Sequence, residues 1–309
     1  MSSIKTPKNG LTRRSFLAGT AVAAVAGPAG LAKAAKAAVK DGGDTMTPIE
    51  TMNKYGSDLL NMLVLRTYPI AIKMLKDESE IPQGAVRPKK DLGEHYSACQ
   101  VNGIVRRSGT SIAMFIEDHW CFEPIIGYGL VETPEEFKEG AGSDFFIQDK
   151  RGAKERNNAI PVLPYGKYKG MVLAPLHKAN FDPDLTVIYC NATQLRHMLF
   201  SIMRENGYRV TSTIDPLWSC VLSVAPPLLT GECVVNVPDP GEFGRGGVAD
   251  DEMMLSIPRG RMEEMMSGVY HYDRAGMGYR SFGREVKGDF KQPPFYKEYF
   301  KRWGLDVQE

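Results

Sequence analysis

Several familiar signatures are missing from this 309-residue chain, and each absence removes a class of function. There are only five cysteines and no Cys-x-x-Cys pair among them, so neither a zinc ribbon nor a ferredoxin pattern applies. No Gly-x-Ser-x-Gly elbow occurs, and no Ser-His-Asp or Cys-His arrangement suited to acyl transfer stands out. The glycine-rich "GEFGRGG" at 241–247 lacks the Lys-Ser/Thr of a phosphate-binding loop and does not sit between a strand and a helix as a dinucleotide fingerprint must. Past the N-terminal region no basic run exceeds "PKK" at 88–90, which argues against a nucleic-acid partner. No later segment approaches 18 uncharged apolar residues, so no membrane span is expected in the mature chain.

What is present begins with an address. "LTRRSFLAG" at 11–19 places two arginines before Phe-Leu and an Ala/Gly/Val-rich run over 18–31, with small-residue sites such as "AKA" at 32–34. A basic start, a short apolar middle and a small-residue site are the parts of a cleavable export signal. The "TRRSFL" element resembles the twin-arginine signal, which implies a Tat translocase as partner during export and passage of an already folded, often cofactor-loaded protein. Residues 1–34 are therefore expected to be a signal peptide and 35–309 a single mature domain, periplasmic or extracytoplasmic. The signal takes five of the 38 Lys and Arg and none of the 37 Asp and Glu, which leaves a mature net charge of −4.

The five cysteines, Cys99, Cys121, Cys190, Cys220 and Cys233, are an odd number, so in an oxidising compartment at least one is free, metal-bound or shared between chains. Cys190 and Cys233 fall inside strand patterns and read as core residues. Cys99 and Cys220 each stand near the start of a predicted helix, where unpaired backbone N–H groups favour a thiolate or an anionic cluster. Cys121 ends "HWC", so His119 lies two residues away and faces the same way on an extended segment. His95 lies on the approach to Cys99, and Arg245 is expected on a flexible loop that carries it into a cleft, able to hold a carboxylate or phosphate in two-pronged fashion. A disulfide among Cys99, Cys121 and Cys220, or plain burial of all three, are the competing readings.

Periodicity and caps predict an α+β fold, a mixed sheet with packed helices. "TPIETMNKYGSDLLNMLVL" opens a helix with a capping box at Thr47 and Glu50, and "PIAIKML" alternates as a strand. "YSACQVNGIVRRSG" reads as a helix stopped by Gly109, and "NATQLRHMLFSIMRENG" as one capped by Asn191 and stopped by Gly207. Cys99 precedes Asp118 by the same 19 positions that separate Cys220 from Asp239. This register suggests two pseudo-repeated strand-helix-strand halves.

The segments "VLAPLHKANFDPDLTVIYCNATQLRHML", "SACQ", "LLTGECVVNVPDPGEFGR" and "DDEMMLSIP" resemble the domain of unknown function 169 family, over about residues 69–269. The resemblance implies cysteine marking at Cys99, Cys121 and Cys220, and a further family cysteine in a Pro-Cys-x-Gly-x-Arg stretch where this chain has Asp239 after Pro238. A site of three thiolates completed by Asp239, a histidine or an outside ligand follows from it. It names no reaction.

Two functions are carried forward from the sequence. The first is an exported redox or metal-cofactor protein, with an iron-sulfur cluster or other soft-ligand metal on Cys99, Cys121, Cys220, His119 and Asp239, and with Arg245 and His95 contacting a small molecule or serving a redox partner. The second is a non-enzymatic periplasmic protein that binds a small anion near Arg245 and is stapled by a structural disulfide.

Overall fold

The computed structural model describes residues 46–281 and 293–305. The expected signal at 1–34 lies outside them. Helix α1 (Pro48–Leu63) starts where expected: the Thr47 side chain accepts from the Glu50 amide, the Glu50 carboxylate accepts from the Thr47 amide, and Pro48 fills the first position. The chain continues through strand β1 (Ile70–Leu75), helix α2 (Ala98–Ser108), which Ser97 caps, and strand β2 (Ile112–Phe115). Gly109 ends α2 at φ +79°, a conformation that a side chain at this position would strain. Short helices α3 (Phe122–Gly127), α4 (Glu135–Lys138) and α5 (Lys150–Ala159) precede β3 (Gly170–Pro175) and β4 (Leu185–Asn191).

Asn191 caps α6 (Ala192–Met203) as its position predicts, accepting from the Thr193 and Gln194 amides. Two short helices, α7 (Ser219–Leu222) and α8 (Ala225–Thr230), lead to β5 (Val234–Asn236), α9 (Pro240–Gly244), β6 (Glu252–Pro258), α10 (Arg259–Arg274) and α11 (Pro294–Arg302).

The fold is α+β, as expected, and among the described residues six strands form one sheet of order β2-β3-β1-β4-β6-β5. Its named strands pair antiparallel throughout, and the parallel pairing among the described residues is confined to two isolated bridges, Val86 with Ile112 and Tyr96 with His119. Outward from the central β1–β4 pair the order is first, third, second strand on both sides. The helical connections differ: β1 and β2 are joined by short helical turns at Glu78–Glu80 and Pro88–Leu92 and then α2, whereas α6, α7 and α8 lie between β4 and β5. A repeat of the whole strand-helix-strand unit is thus not established by this topology.

Both faces of the sheet are covered, which explains why its strands are nearly continuous apolar runs rather than alternating ones. Ile70, Ile72 and Met74 of β1 point to a core with Val101 and Val105 of α2 and Val221 of α7. Ala71 and Leu75 point the other way, to Met52 and Leu59 of α1, Met198 of α6 and Met265 of α10. Cys190 and Cys233 belong to this second core, as their strand setting predicts. Everything functional below lies on the α2 and α7 side.

Candidate functional site

Helix α2 carries a polar stripe at helical spacing: Cys99, Asn102, Gly103 and Arg106. Each meets the segment around α9 in turn. The Cys99 thiol donates to Asp239 Oδ1 at 3.8 Å, and Asn102 Nδ2 donates to Glu242 Oε1 at 2.9 Å. A Cβ on Gly103 would fall 2.6 Å from the Gly246 carbonyl oxygen, so only glycine permits this approach. The fully buried Arg106 donates to the Gly247 carbonyl at 3.1 Å and pairs with Glu252 at 3.1 Å. Its guanidinium also lies 4.1 Å from the centre of the Tyr189 ring.

This contact decides the form of "GEFGRGG". It is not the flexible loop expected from its glycines: Asp239 caps it, Pro240 takes the first position, and its first half is helix α9. Arg245 closes that helix and does border the cleft.

The cleft itself holds about 550 Å³ and is bordered by Cys99, Cys121, Cys220, Asp239 and Arg245 together. Three segments far apart in sequence supply the thiols: the first turn of α2, the residue capping α3, and the first turn of α7. Asp239 holds two of these segments in place. Its Oδ2 accepts from the Ser219 amide at 2.9 Å and its Oδ1 from the Glu242 amide at 3.0 Å. The Tyr128 hydroxyl donates to the Cys220 carbonyl at 2.9 Å from beneath. Trp218, just before α7, adopts φ +62°, a left-handed conformation that costs a bulky residue about 1–2 kcal/mol. Stacking on Phe137 at 5.0 Å and an edge contact with Phe122 at 5.8 Å hold it there.

All five cysteines are free thiols. Burial, above all, keeps the three at the cleft protonated. It raises the Cys99 thiol strongly, with the charges of Glu242 and Asp239 adding to it, and raises Cys220 likewise, with Cys99 and Asp239 adding. Cys121 is pushed up to about 11, less than the others because the Ala98 amide offers its sulfur a hydrogen bond. Among the described residues no set of three or more His, Cys, Asp or Glu side chains is disposed to hold a metal ion.

The two histidines fare differently. His119 is buried, and neither ring nitrogen has a hydrogen-bond partner among the described residues. It borders a small inner cavity of about 10 Å³, near the least that holds one water, whose wall also includes Asn102, Tyr128 and Cys220. Burial depresses its pKa to about 4, so the ring is neutral. Cys220 borders both the inner cavity and the cleft, whereas Cys121 borders only the cleft. His95 is exposed and is not among the cleft residues. The reason is the bridge from Tyr96 to His119, which turns Tyr96 toward the core and the preceding residue away from it.

Sequence reasoning missed Glu242, Arg106 and Trp120. Glu242 is wholly buried, with Oε2 lacking a hydrogen-bond partner among the described residues, and burial lifts its pKa to about 8. The signal for Arg106 was present, since it falls on the same face of α2 as Cys99 and Asn102. Trp120 is 47% exposed, yet its indole N–H donates to Gln100 Oε1 at 2.8 Å. The same oxygen accepts the Ser97 amide in the α2 capping box.

A profile of the DUF169 family, described as uncharacterised ArCR, matches residues 58–268. The chain belongs to the DUF169 family. The match takes in every cleft residue named above, and so the site lies within the part of the chain shared with the family. Uncharacterized protein MJ0308 of Methanocaldococcus jannaschii is 20% identical over 230 residues, which cover 72% of this chain and 96% of that protein. No solved structure matches.

Proposed function

We propose that this DUF169 protein is an exported cofactor protein, in which Cys99, Cys121 and Cys220 bind an iron-sulfur cluster or another thiophilic metal in the cleft. The observation that carries the reading is their convergence: three thiols from three separate segments border one cavity, while the remaining two cysteines pack in the opposite core. Thiolates are soft donors suited to iron-sulfur clusters, copper(I) and zinc. A ligand that bridges donors, as a cluster does, suits thiols that border a cleft without closing around a single ion. Asp239 positions the segments from which two of these thiols project, and the neutral His119 lies behind Cys220 as a further nitrogen donor. The twin-arginine element at 11–19 supports export after loading, to the periplasm or another extracytoplasmic space.

The test is elemental analysis for iron, zinc, copper and acid-labile sulfide on protein expressed with residues 1–34 and purified without oxygen. Stoichiometric metal is expected, lost in Cys99→Ser and Cys220→Ser variants whose circular dichroism is unchanged. Metal-free wild-type protein, or full metal in both variants, overturns the reading.

One observation favours the second function, a binding protein for a small anion: the Arg245 guanidinium at the cleft has no ion-pair partner among the described residues. In its form with a structural disulfide, thiol counting on the exported protein returns three free thiols and no metal.

A further inference from the structure

The aromatic side of the cleft points to a ligand that the thiols do not account for. Four aromatic rings border the cavity: Trp120, Phe122, Phe146 and Trp218. Three of them, Trp120, Phe122 and Phe146, are 46–57% exposed, an arrangement that gains little from burial in the free protein. Trp120 is nevertheless fixed. Its indole N–H is tied to Gln100, whose side chain is in turn locked into the α2 cap by the Ser97 amide at 2.9 Å. The Arg245 guanidinium lies 4.8 Å from the centre of the Trp120 ring, exposed and without an ion-pair partner among the described residues. On the cavity's other aromatic wall, Trp218 is held in a strained backbone conformation against Phe137 and Phe122. A pinned, exposed indole, an exposed phenyl ring beside it and a guanidinium that makes a cation–π contact but no ion pair among the described residues are, at one cavity, the parts of a stacking site with an anion clamp.

We propose that the cleft binds a small planar aromatic anion, its ring system stacked against the exposed Trp120 and Phe122 rings and its carboxylate or phosphate held by Arg245. This rests on the cleft being the working site, as the cofactor reading has it, and supplies the organic ligand that such a cofactor would serve. The volume of about 550 Å³ suits a ligand of two or three fused rings. Arg245 is the selecting residue, because aromatic walls, whose faces carry negative potential, give an anionic ring no advantage over a neutral one. Glu123 and Asp239 also border the cleft, and their carboxylates disfavour a second anionic group on the ligand beyond the one Arg245 holds.

The test is isothermal titration of the full chain with four probes: 2-naphthoate, 2-naphthyl phosphate, the neutral 2-naphthamide, and the non-aromatic cyclohexanecarboxylate. At least one of the two aromatic anions is expected to bind at least tenfold more tightly than both controls, and the preferred one identifies the anionic group. Arg245→Gln and Trp120→Leu should each weaken it tenfold or more, with an unchanged circular dichroism spectrum. Naphthamide binding as tightly as both anions, an unaffected Arg245→Gln variant, or no binding of either anion at millimolar concentration overturns the proposal. Metal content measured on the same samples separates it from the cofactor reading. Metal-free protein that still discriminates the anions sinks the cofactor and leaves the ligand site standing; loaded protein that ignores all four probes does the reverse.

Discussion

The Cys99 thiol points at Oδ1 of Asp239 across 3.8 Å, joining positions 140 residues apart in the chain. The same carboxylate caps α9 and accepts the Ser219 amide at the entrance to α7, so one side chain ties together the segments bearing Cys99, Cys220 and Arg245. Asp239→Ala removes an N-cap and leaves a buried amide without an acceptor. The expected loss is about 2–4 kcal/mol of folding stability, measured by urea denaturation. Labelling of Cys99 and Cys220 by a thiol reagent should accelerate in native buffer. Asp239→Asn, which keeps one acceptor oxygen, should be milder on both measures. Unchanged labelling in Asp239→Ala would show that the carboxylate does not hold the thiols.

Arg106 and Glu252 form a second tie, fully buried, between α2 and the start of β6. Arg106→Met strands the Glu252 carboxylate away from water, which typically costs about 3–5 kcal/mol. Glu252→Gln strands the guanidinium, apart from its bonds to Thr67 and the Gly247 carbonyl. Combining the two changes should restore part of the loss, giving a coupling energy of about 1–3 kcal/mol in a double-mutant cycle. Strictly additive single losses would mean that the pair contributes through packing against Tyr189 alone.

These ties mark the boundary of what the sequence discloses. Caps are local, and so Thr47 with Glu50, Asn191 with Gln194, and the stop at Gly109 could be read directly, whereas α6 ends at Met203 with Arg204 as its cap, ahead of the expected stop at Gly207. The strand order could not, because it depends on which apolar runs pair across the sheet. The "GEFGRGG" segment misled for a related reason. Its glycines suggest a loop, but Asp239 and Pro240 form a sound helix start, and Gly103 and Gly246 are there to let two backbones touch. The convergence of Cys99, Cys121 and Cys220 was legible only as two positions near helix starts and a third beside His119 on an extended segment. The cavity that unites them comes from the α2 stripe, whose partners lie 140 or more residues away.

Glu242 should make stability depend on pH in an unusual direction. Its folded-state pKa is raised by burial to about 8 from an ordinary value of 4.5. Between those values the unfolded chain has released the proton and the folded chain retains it, so unfolding releases a proton and rising pH favours it. The contribution is fully present below about pH 4.5 and lost by the time pH passes 8, with a slope of at most about 1.4 kcal/mol per pH unit. Glu242→Gln keeps an acceptor for Asn102 and removes the titration. Urea midpoints from pH 5 to 8 should therefore fall more steeply in the wild type than in the variant. Parallel curves would show that this carboxyl is already ionised in the folded protein.

Gly241 offers the means to alter the site while sparing the fold. Its φ is not in the left-handed region, so alanine is conformationally acceptable and slightly favoured within α9. A Cβ there would nevertheless stand 2.9 Å from the Cys99 sulfur and 3.1 Å from Asp239 Oδ1. Neither short side chain can swing far, since Cys99 is buried and Asp239 is held by two amides. Gly241→Ala is expected to lower stability by about 1–3 kcal/mol, the usual cost of overpacking, with the fold retained by circular dichroism. Metal loading, or the rate of Cys99 alkylation in metal-free protein, should drop tenfold or more because the new methyl covers the sulfur. Gly103→Ala makes the contrast: its Cβ meets the Gly246 backbone rather than a thiol, so it should lower stability without covering the sulfur. If Gly241→Ala loads metal and reacts at Cys99 as the wild type does, the sulfur is approached from another side and the cleft is not its route to solvent.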